Sequence, residues 1–144
     1  MNHANGFLGL VEEAKPRVKE ITAAETAALM YGAEASRPTS LERGAMREPA
    51  GSQRAQIILI DVREDREWVA GHATGAVHLG RGVIERDIEQ MIPNRETPLV
   101  LYCGGGYRSI LAAESLQKMG YTNVMSMAGG WRDWCSAGFP VERE

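Results

Sequence analysis

Apolar and polar positions along the chain predict short buried strands separated by amphipathic helices. Short continuous apolar runs are typical of strands buried on both faces of a parallel sheet, and apolar residues three or four positions apart are typical of helices. The predicted strands cover residues 18–21, 56–62, 76–79, 99–102 and 123–127. The predicted helices cover residues 7–15, 23–30, 64–70, 83–92 and 109–119. This alternation predicts an α/β domain with a central parallel sheet and helices on both of its faces.

Residues at the helix ends strengthen these predictions. Thr22 followed three positions later by Glu25 is a capping box that begins a helix. For the predicted helix 109–119, Ser109 suits the N-cap position and Gly120 stands where the C-cap belongs.

Residues 32–55 interrupt the pattern with glycines, prolines and mixed charges. We interpret this segment as a solvated loop-like insert, with a lid or a partner surface as the alternative. The predicted organisation is therefore a helical leader at 1–16 and a single domain at 17–144 that carries the insert.

Composition narrows the classes of function. The chain has 144 residues, a net charge of −3 and a pI near 5.7, which argues against a nucleic-acid-binding surface. No apolar run approaches a membrane span, and the first ten residues do not form a secretory signal, so we expect no membrane partner. Two cysteines favour a reducing, cytoplasmic setting. The cysteines and three histidines lack metal-ligand spacing, so no metal is expected.

The strongest chemical signal is a cysteine followed by three glycines. Cys103 comes directly after the apolar strand 99–102, and Gly104–Gly106 lead towards a helix. Glycines allow successive backbone N–H groups to converge, and a helix N-terminus adds partial positive charge. Such a cradle binds anions and favours the thiolate form of a cysteine, while Arg108 adds a full positive charge. We expect Gly105→Val to fold but to disturb the backbone angles of this cradle.

Four motifs in a fixed order resemble single-domain rhodaneses, which are sulfurtransferases. They are Asp-Val-Arg-Glu at 61–64, the Gly-His-containing segment 71–79 with Thr74 in place of proline, the cysteine loop 103–109, and Ala-Gly-Gly-Trp-Arg-Asp-Trp at 128–134. The resemblance covers residues 17–141 apart from the insert, and it implies a rhodanese-like fold.

By this resemblance, Cys103 is the nucleophile that carries sulfane sulfur as a persulfide. The resemblance implies that the loop amides hold the outer sulfur, with the binding residues Gly104, Gly105, Gly106, Tyr107 and Arg108. It also implies a small sulfur donor such as thiosulfate and a thiophilic acceptor such as cyanide or a thiol. A protein acceptor is a further option, and no cofactor is expected beyond the covalent persulfide.

Other residues of the motifs have expected supporting roles. Asp61, Arg63 and His72 are expected to be structural residues near the site. Arg81, between two glycines after a short strand, is either a guide for an anionic donor or an ordinary surface charge. Cys135 is expected to be inert.

Two alternatives accompany the sulfurtransferase prediction. A cysteine phosphatase of related fold would have five residues between the nucleophile and the arginine, whereas Cys103 and Arg108 are separated by four. The smaller ring suits a single sulfur better than a tetrahedral phosphate. The second alternative is a partner-dependent sulfur relay or a recognition module, and the intact cysteine and glycine loop argue against a purely binding role.

Overall fold

The computed structural model describes residues 5–32 and 57–143. Nearly all of the predicted insert lies outside the described residues. The helices are α1 (Asn5–Ala14), α2 (Ala23–Tyr31), α3 (Asp65–Ala70), α4 (Ile84–Met91), α5 (Arg108–Lys118) and α6 (Gly130–Ser136), with a 3-10 turn at Lys15–Arg17. The strands are β1 (Lys19–Ile21), β2 (Ile58–Asp61), β3 (His72–Ala73), β4 (Val77–His78), β5 (Leu99–Tyr102), β6 (Val124–Met127) and β7 (Val141–Glu142).

The central sheet has five parallel strands in the order β1-β6-β5-β2-β4. Strand β5 lies in the middle, and each of its four residues is buried. This explains its uninterrupted apolar sequence, because a central parallel strand is covered on both faces. The predicted α/β class and parallel sheet are thus confirmed.

Successive residues of the central strands point to opposite faces of the sheet and enter two separate cores. Leu99 and Leu101 belong to the core beneath α1, α4 and α5, whereas Val100 and Tyr102 belong to the core beneath α2 and α6. Helices therefore cover both faces, as predicted. The fully buried Trp134 of α6 fills much of the second core.

Helix α1 is packed against the domain. Its buried residues Val11 and Ala14 join the first core. The segment after it is tied to α5 by an ion pair between Arg17 and Glu114 and by a hydrogen bond of 2.9 Å from Gln117 Nε2 to Arg17 O. The boundaries drawn between leader, domain and insert stay predictions.

A second, smaller sheet, in which β3 pairs antiparallel with β7, was not predicted from the sequence. Each strand has only two residues, which is too short for an alternating pattern to be visible. The capping box at Thr22 and Glu25 is present as predicted, and Gly120 takes a φ of 103° just after α5. Within the described residues, no helix is long and apolar enough to cross a bilayer.

Candidate active site

Cys103 lies at the carboxyl edge of the sheet, directly after β5, with its residue only 1% exposed. The backbone N–H of Gly106 donates to Cys103 Sγ at 3.1 Å, and Ser109 Oγ lies 3.6 Å from the same sulfur. The sulfur therefore sits inside the curl of the glycine loop, at the start of α5. In such a position, backbone and hydroxyl donors stabilise negative charge on sulfur.

The backbone freedom of the loop is needed at Gly106, not at Gly105. Gly106 has a φ of 104°, and a Cβ there would lie 3.0 Å from Gly129 N. Gly105 has no positive φ, and a Cβ there would meet no atom within 4 Å. The backbone reason for expecting glycine at position 105 was therefore wrong, since its φ is not positive and a Cβ there would have open space. The effect of Gly105→Val on activity stays a prediction.

The N-terminus of α6 holds the cysteine loop from behind. The N–H of Trp131 donates to Cys103 O at 2.7 Å, and that of Arg132 donates to Gly104 O at 3.1 Å. A Cβ at Gly130 would lie 2.2 Å from Cys103 O, and Gly130 also has a φ of 50°. This close approach explains the Gly-Gly pair in the 128–134 motif, because a side chain would push α6 away from the loop.

Ser109 does not cap α5. The helix begins at Arg108 with Tyr107 as the N-cap residue, so the predicted N-cap role of Ser109 was wrong. The Ser109 side chain instead turns inward, where its Oγ lies 2.8 Å from Ser126 Oγ as well as near the sulfur. Ser126 was missed in the sequence, although a serine within the apolar run 124–127 was an available signal.

Arg108 is paired with a glutamate that the sequence analysis did not single out. Its Nη1 and Nη2 donate to the two carboxylate oxygens of Glu67, at 3.1 and 3.3 Å. The hydrogen bond to Glu67 raises the pKa of Arg108, opposed by partial burial, and the charge of Cys103 raises it further. Partial burial would raise the pKa of Glu67, but hydrogen bonds from Arg108 and from the Glu64 N–H outweigh it and lower that pKa. Both partners therefore remain charged beside the loop.

Asp61 and Arg63 form a buried ion pair below the site. Arg63 Nη2 lies 2.8 Å from Asp61 Oδ2 and also donates to Gly71 O at 2.6 Å, while the guanidinium stands 4.7 Å from the Trp131 ring centroid. These contacts join the end of β2 to the 71–79 segment and to α6. They support the structural role expected for both residues.

His72 lies in β3, and Arg81 follows β4. The His72 ring stacks on Trp68 with centroids 3.4 Å apart, and His72 Nδ1 lies 3.0 Å from Trp68 O. This packing supports a structural role for His72. The Arg81 N–H donates to Val62 O at 2.9 Å beside a cleft lined partly by Gly80 and His78. The guiding role of the Arg81 side chain stays a prediction.

Cys135 is exposed on α6, and partial burial of its sulfur raises the pKa of its thiol. A thiol with a raised pKa is a weak nucleophile at neutral pH. The contrast with Cys103, which is enclosed by donors, favours Cys103 as the reactive cysteine.

Comparison with known proteins places this arrangement in a family. The family model of the Rhodanese-like domain matches residues 44–137. The thiosulfate sulfurtransferase GlpE of Haemophilus influenzae is 33% identical over 85 residues, which cover 59% of this chain and 79% of GlpE. The putative sulfur carrier protein YrkF of Bacillus subtilis is 34% identical over 76 residues, 53% of this chain, and the match spans only 40% of YrkF.

Solved structures agree with the fold. A Rhodopseudomonas palustris protein of unknown function, RPA3614, described as a possible tyrosine phosphatase, superposes with a TM-score of 0.73 at 27% identity and covers 99% of this chain and 98% of its own. A rhodanese from Escherichia coli, solved with anions, gives a TM-score of 0.55 at 29% identity and covers 62% of this chain and 100% of its own. With its cysteine enclosed by a glycine loop at the carboxyl edge of a parallel sheet, the chain belongs to the family of rhodanese-like domains.

Proposed function

We propose that this protein is a sulfurtransferase that moves sulfane sulfur from a donor such as thiosulfate to a thiophilic acceptor through a persulfide on Cys103. The observation that carries the proposal is the Gly106 N–H donating to Cys103 Sγ inside the curled loop. A loop that stabilises charge on one sulfur can also hold a second sulfur attached to it. The relative GlpE is described as a thiosulfate sulfurtransferase, and this description supports the proposed reaction class.

In the first half-reaction, the Cys103 thiolate attacks the outer sulfur of thiosulfate. A sulfur–sulfur bond forms to Cys103, and the bond between the sulfane and sulfonate sulfurs breaks, with its electron pair leaving on sulfite. The persulfide then carries one negative charge on its terminal sulfur. Converging N–H groups and the start of α5 stabilise that charge without a general base.

In the second half-reaction, an acceptor attacks the terminal sulfur. With cyanide, a carbon–sulfur bond forms, the persulfide bond breaks, and thiocyanate leaves while Cys103 returns as thiolate. The same donors that stabilise the thiolate make it a good leaving group. Because each cycle begins from a free Cys103 thiolate that must not be lost to a disulfide, we expect the protein to act in a reducing compartment such as the cytoplasm.

A protein thiol is the second class of acceptor that we propose. The relative YrkF is described as a putative sulfur carrier protein, and this description supports the proposal of a protein acceptor. The chemistry at Cys103 is the same in both cases, and the rates with small and protein acceptors distinguish them.

A phosphatase activity is the competing proposal, because RPA3614 is described as a possible tyrosine phosphatase. Two observations oppose it. Only four residues separate Cys103 from Arg108, and Arg108 is already bound to Glu67. A phosphate monoester needs a wide cradle and an available cation for its equatorial oxygens.

Intact mass of the reduced protein, before and after incubation with a sulfane donor, tests the proposal. We expect a gain of one sulfur atom, lost again on adding cyanide with release of thiocyanate. Cys103→Ser should take up no sulfur and should keep its melting temperature, whereas Cys135→Ser should behave as the wild type. Sulfur uptake by Cys103→Ser, or turnover of an aryl phosphate that requires Cys103, would refute the assignment.

A further inference from the structure

The Arg108 guanidinium, the cation of the cysteine loop, is paired with Glu67. Both of its terminal nitrogens face the two oxygens of Glu67, and its side chain is 34% exposed against 31% for that of Glu67. Planar two-point pairing is the geometry that an arginine would otherwise use to hold a sulfonate or phosphate. An anionic donor that binds Arg108 by the same two-point pairing must therefore compete with Glu67.

The second arginine below the site is also occupied. Arg63 is committed to Asp61 and Gly71 O, and it is buried. Glu67 compensates the charge of Arg108 with its own single negative charge, and that charge opposes the approach of a dianion. Thiosulfate brings two negative charges and three sulfonate oxygens, whereas an organic persulfide with an uncharged R group brings at most one charge, on the sulfur itself.

We propose that Glu67 is a specificity-determining residue that holds Arg108 and thereby selects organic persulfides over dianionic donors such as thiosulfate. In the favoured reaction, the Cys103 thiolate attacks the terminal sulfur of a persulfide R–S–SH. The new bond joins that sulfur to Cys103, and the old sulfur–sulfur bond breaks with its electron pair leaving on R–S⁻. The leaving thiolate takes the proton of the transferred sulfur and departs as R–SH, so the Cys103 persulfide carries one negative charge on its terminal sulfur. The proposal rests on the proposed sulfurtransferase function and narrows its donor.

Glu67→Gln is the informative substitution because it removes the charge and retains an oxygen. Glu67 Oε1 accepts the N–H of Glu64 at 3.0 Å at the start of α3, and a glutamine oxygen can keep that bond. The matched control is Asp65→Asn, which makes the same charge change in the same helix on a side chain that is 98% exposed and whose carboxylate lies 3.8 Å from His78 Nδ1.

Rates of Cys103 persulfide formation are measured by intact mass with thiosulfate and with hydroxyethyl persulfide, a donor without other charges. We expect Glu67→Gln to lower the KM for thiosulfate about three- to fivefold, the size expected from releasing a partly exposed ion pair. The rate with hydroxyethyl persulfide should stay within about twofold, and Asp65→Asn should leave both values near those of the wild type. Equal changes for the two donors, or an unchanged KM for thiosulfate, would overturn the role of Glu67.

A second experiment separates this proposal from the proposed function. It measures how strongly bound sulfate protects Cys103 from an alkylating reagent. Stronger protection by sulfate in Glu67→Gln than in the wild type supports the role of Glu67 even if neither protein accepts sulfur from any donor, a result that would refute the sulfurtransferase function alone. Equal protection in both proteins would refute the role of Glu67, whatever the sulfur-transfer result.

Discussion

Gly105 and Gly106 are neighbours of the same type with different physical roles. Gly106 holds a left-handed φ, lies against Gly129 N and points its N–H at the Cys103 sulfur. Gly105 faces open space with an ordinary φ. The two residues differ because Gly106 lies against Gly129, in the segment that follows β6, whereas a Cβ at Gly105 would meet no atom of that segment within 4 Å.

Gly106→Ala should impair both stability and sulfur uptake. The positive φ and the contact with Gly129 together should lower the free energy of unfolding by about 1–3 kcal/mol. The rate of persulfide formation should fall more than tenfold, because the Gly106 N–H would shift from the sulfur. Urea denaturation and timed intact-mass measurements check the two effects.

Gly105→Ala is the matched control and should remain close to the wild type in both measurements. Equal loss of sulfur uptake in the two variants would mean that the whole loop, and not the Gly106 N–H, is sensitive to an added methyl group.

At the scale of elements, the position of the cysteine loop depends on the helices packed around it. Helix α6 donates two N–H groups to the loop carbonyls, and α5 begins at the loop itself. Helix α1 reaches the same loop through Phe7, whose ring meets the Tyr107 ring edge-on with centroids 6.2 Å apart. This contact links the N-terminal helix, which lies outside the 44–137 match, to the active-site loop.

Phe7→Ala should slow sulfur uptake while the fold is retained. An aromatic pair contributes roughly 0.5–1.5 kcal/mol, so loosening Tyr107 should reduce the rate of persulfide formation by up to about tenfold. Leu10→Ala is the control on the same helix, because Leu10 is 57% exposed. Rescue by Phe7→Tyr but not by Phe7→Leu would show that the ring is needed, and equal rates in Phe7→Ala and Leu10→Ala would exclude this role.

At the scale of the whole molecule, ion pairs join elements that are distant in the sequence. Glu67 of α3 binds Arg108 of α5, and Glu114 of α5 binds Arg17 beside β1. The hydrogen bond from Arg17 lowers the pKa of Glu114, and Arg108 helps to lower that of Glu67 despite burial. These ion pairs stabilise the folded protein fully at a pH above 4.5, the ordinary pKa of a glutamate side chain. The stabilisation is lost as the pH falls through the lowered pKa values that Glu67 and Glu114 have in the folded protein.

The urea midpoint should therefore fall as the pH is lowered from 5 to 3. The double variant Glu67→Gln with Glu114→Gln should show a shallower fall, because two of the responsible carboxyls are gone. Glu12→Gln, an exposed change on α1, serves as the control. An unchanged pH profile in the double variant would show that other groups cause the acid sensitivity.

Local patterns in the sequence determined the class of fold and the position of the nucleophile. The apolar run at 99–102 predicted a buried central strand, and the capping box at Thr22 and Glu25 predicted the start of α2. Both depend on neighbouring residues, so a single sequence is sufficient to find them. The same is true of a cysteine placed between a strand and a glycine loop.

The tertiary structure decided what surrounds that cysteine. Glu67 reaches Arg108 across 41 positions, and Ser126 reaches Ser109 across 17. Pairing of β3 with β7 is similarly remote. No local pattern encodes these contacts, because each joins residues from separate elements that meet only in the folded domain. The parallel sheet brings the elements that follow β2 and β5 to one edge, where Glu67 meets Arg108. The sequence by itself therefore determined the α/β architecture and the reactive loop, whereas only packing decided which charges and hydroxyls face the sulfur.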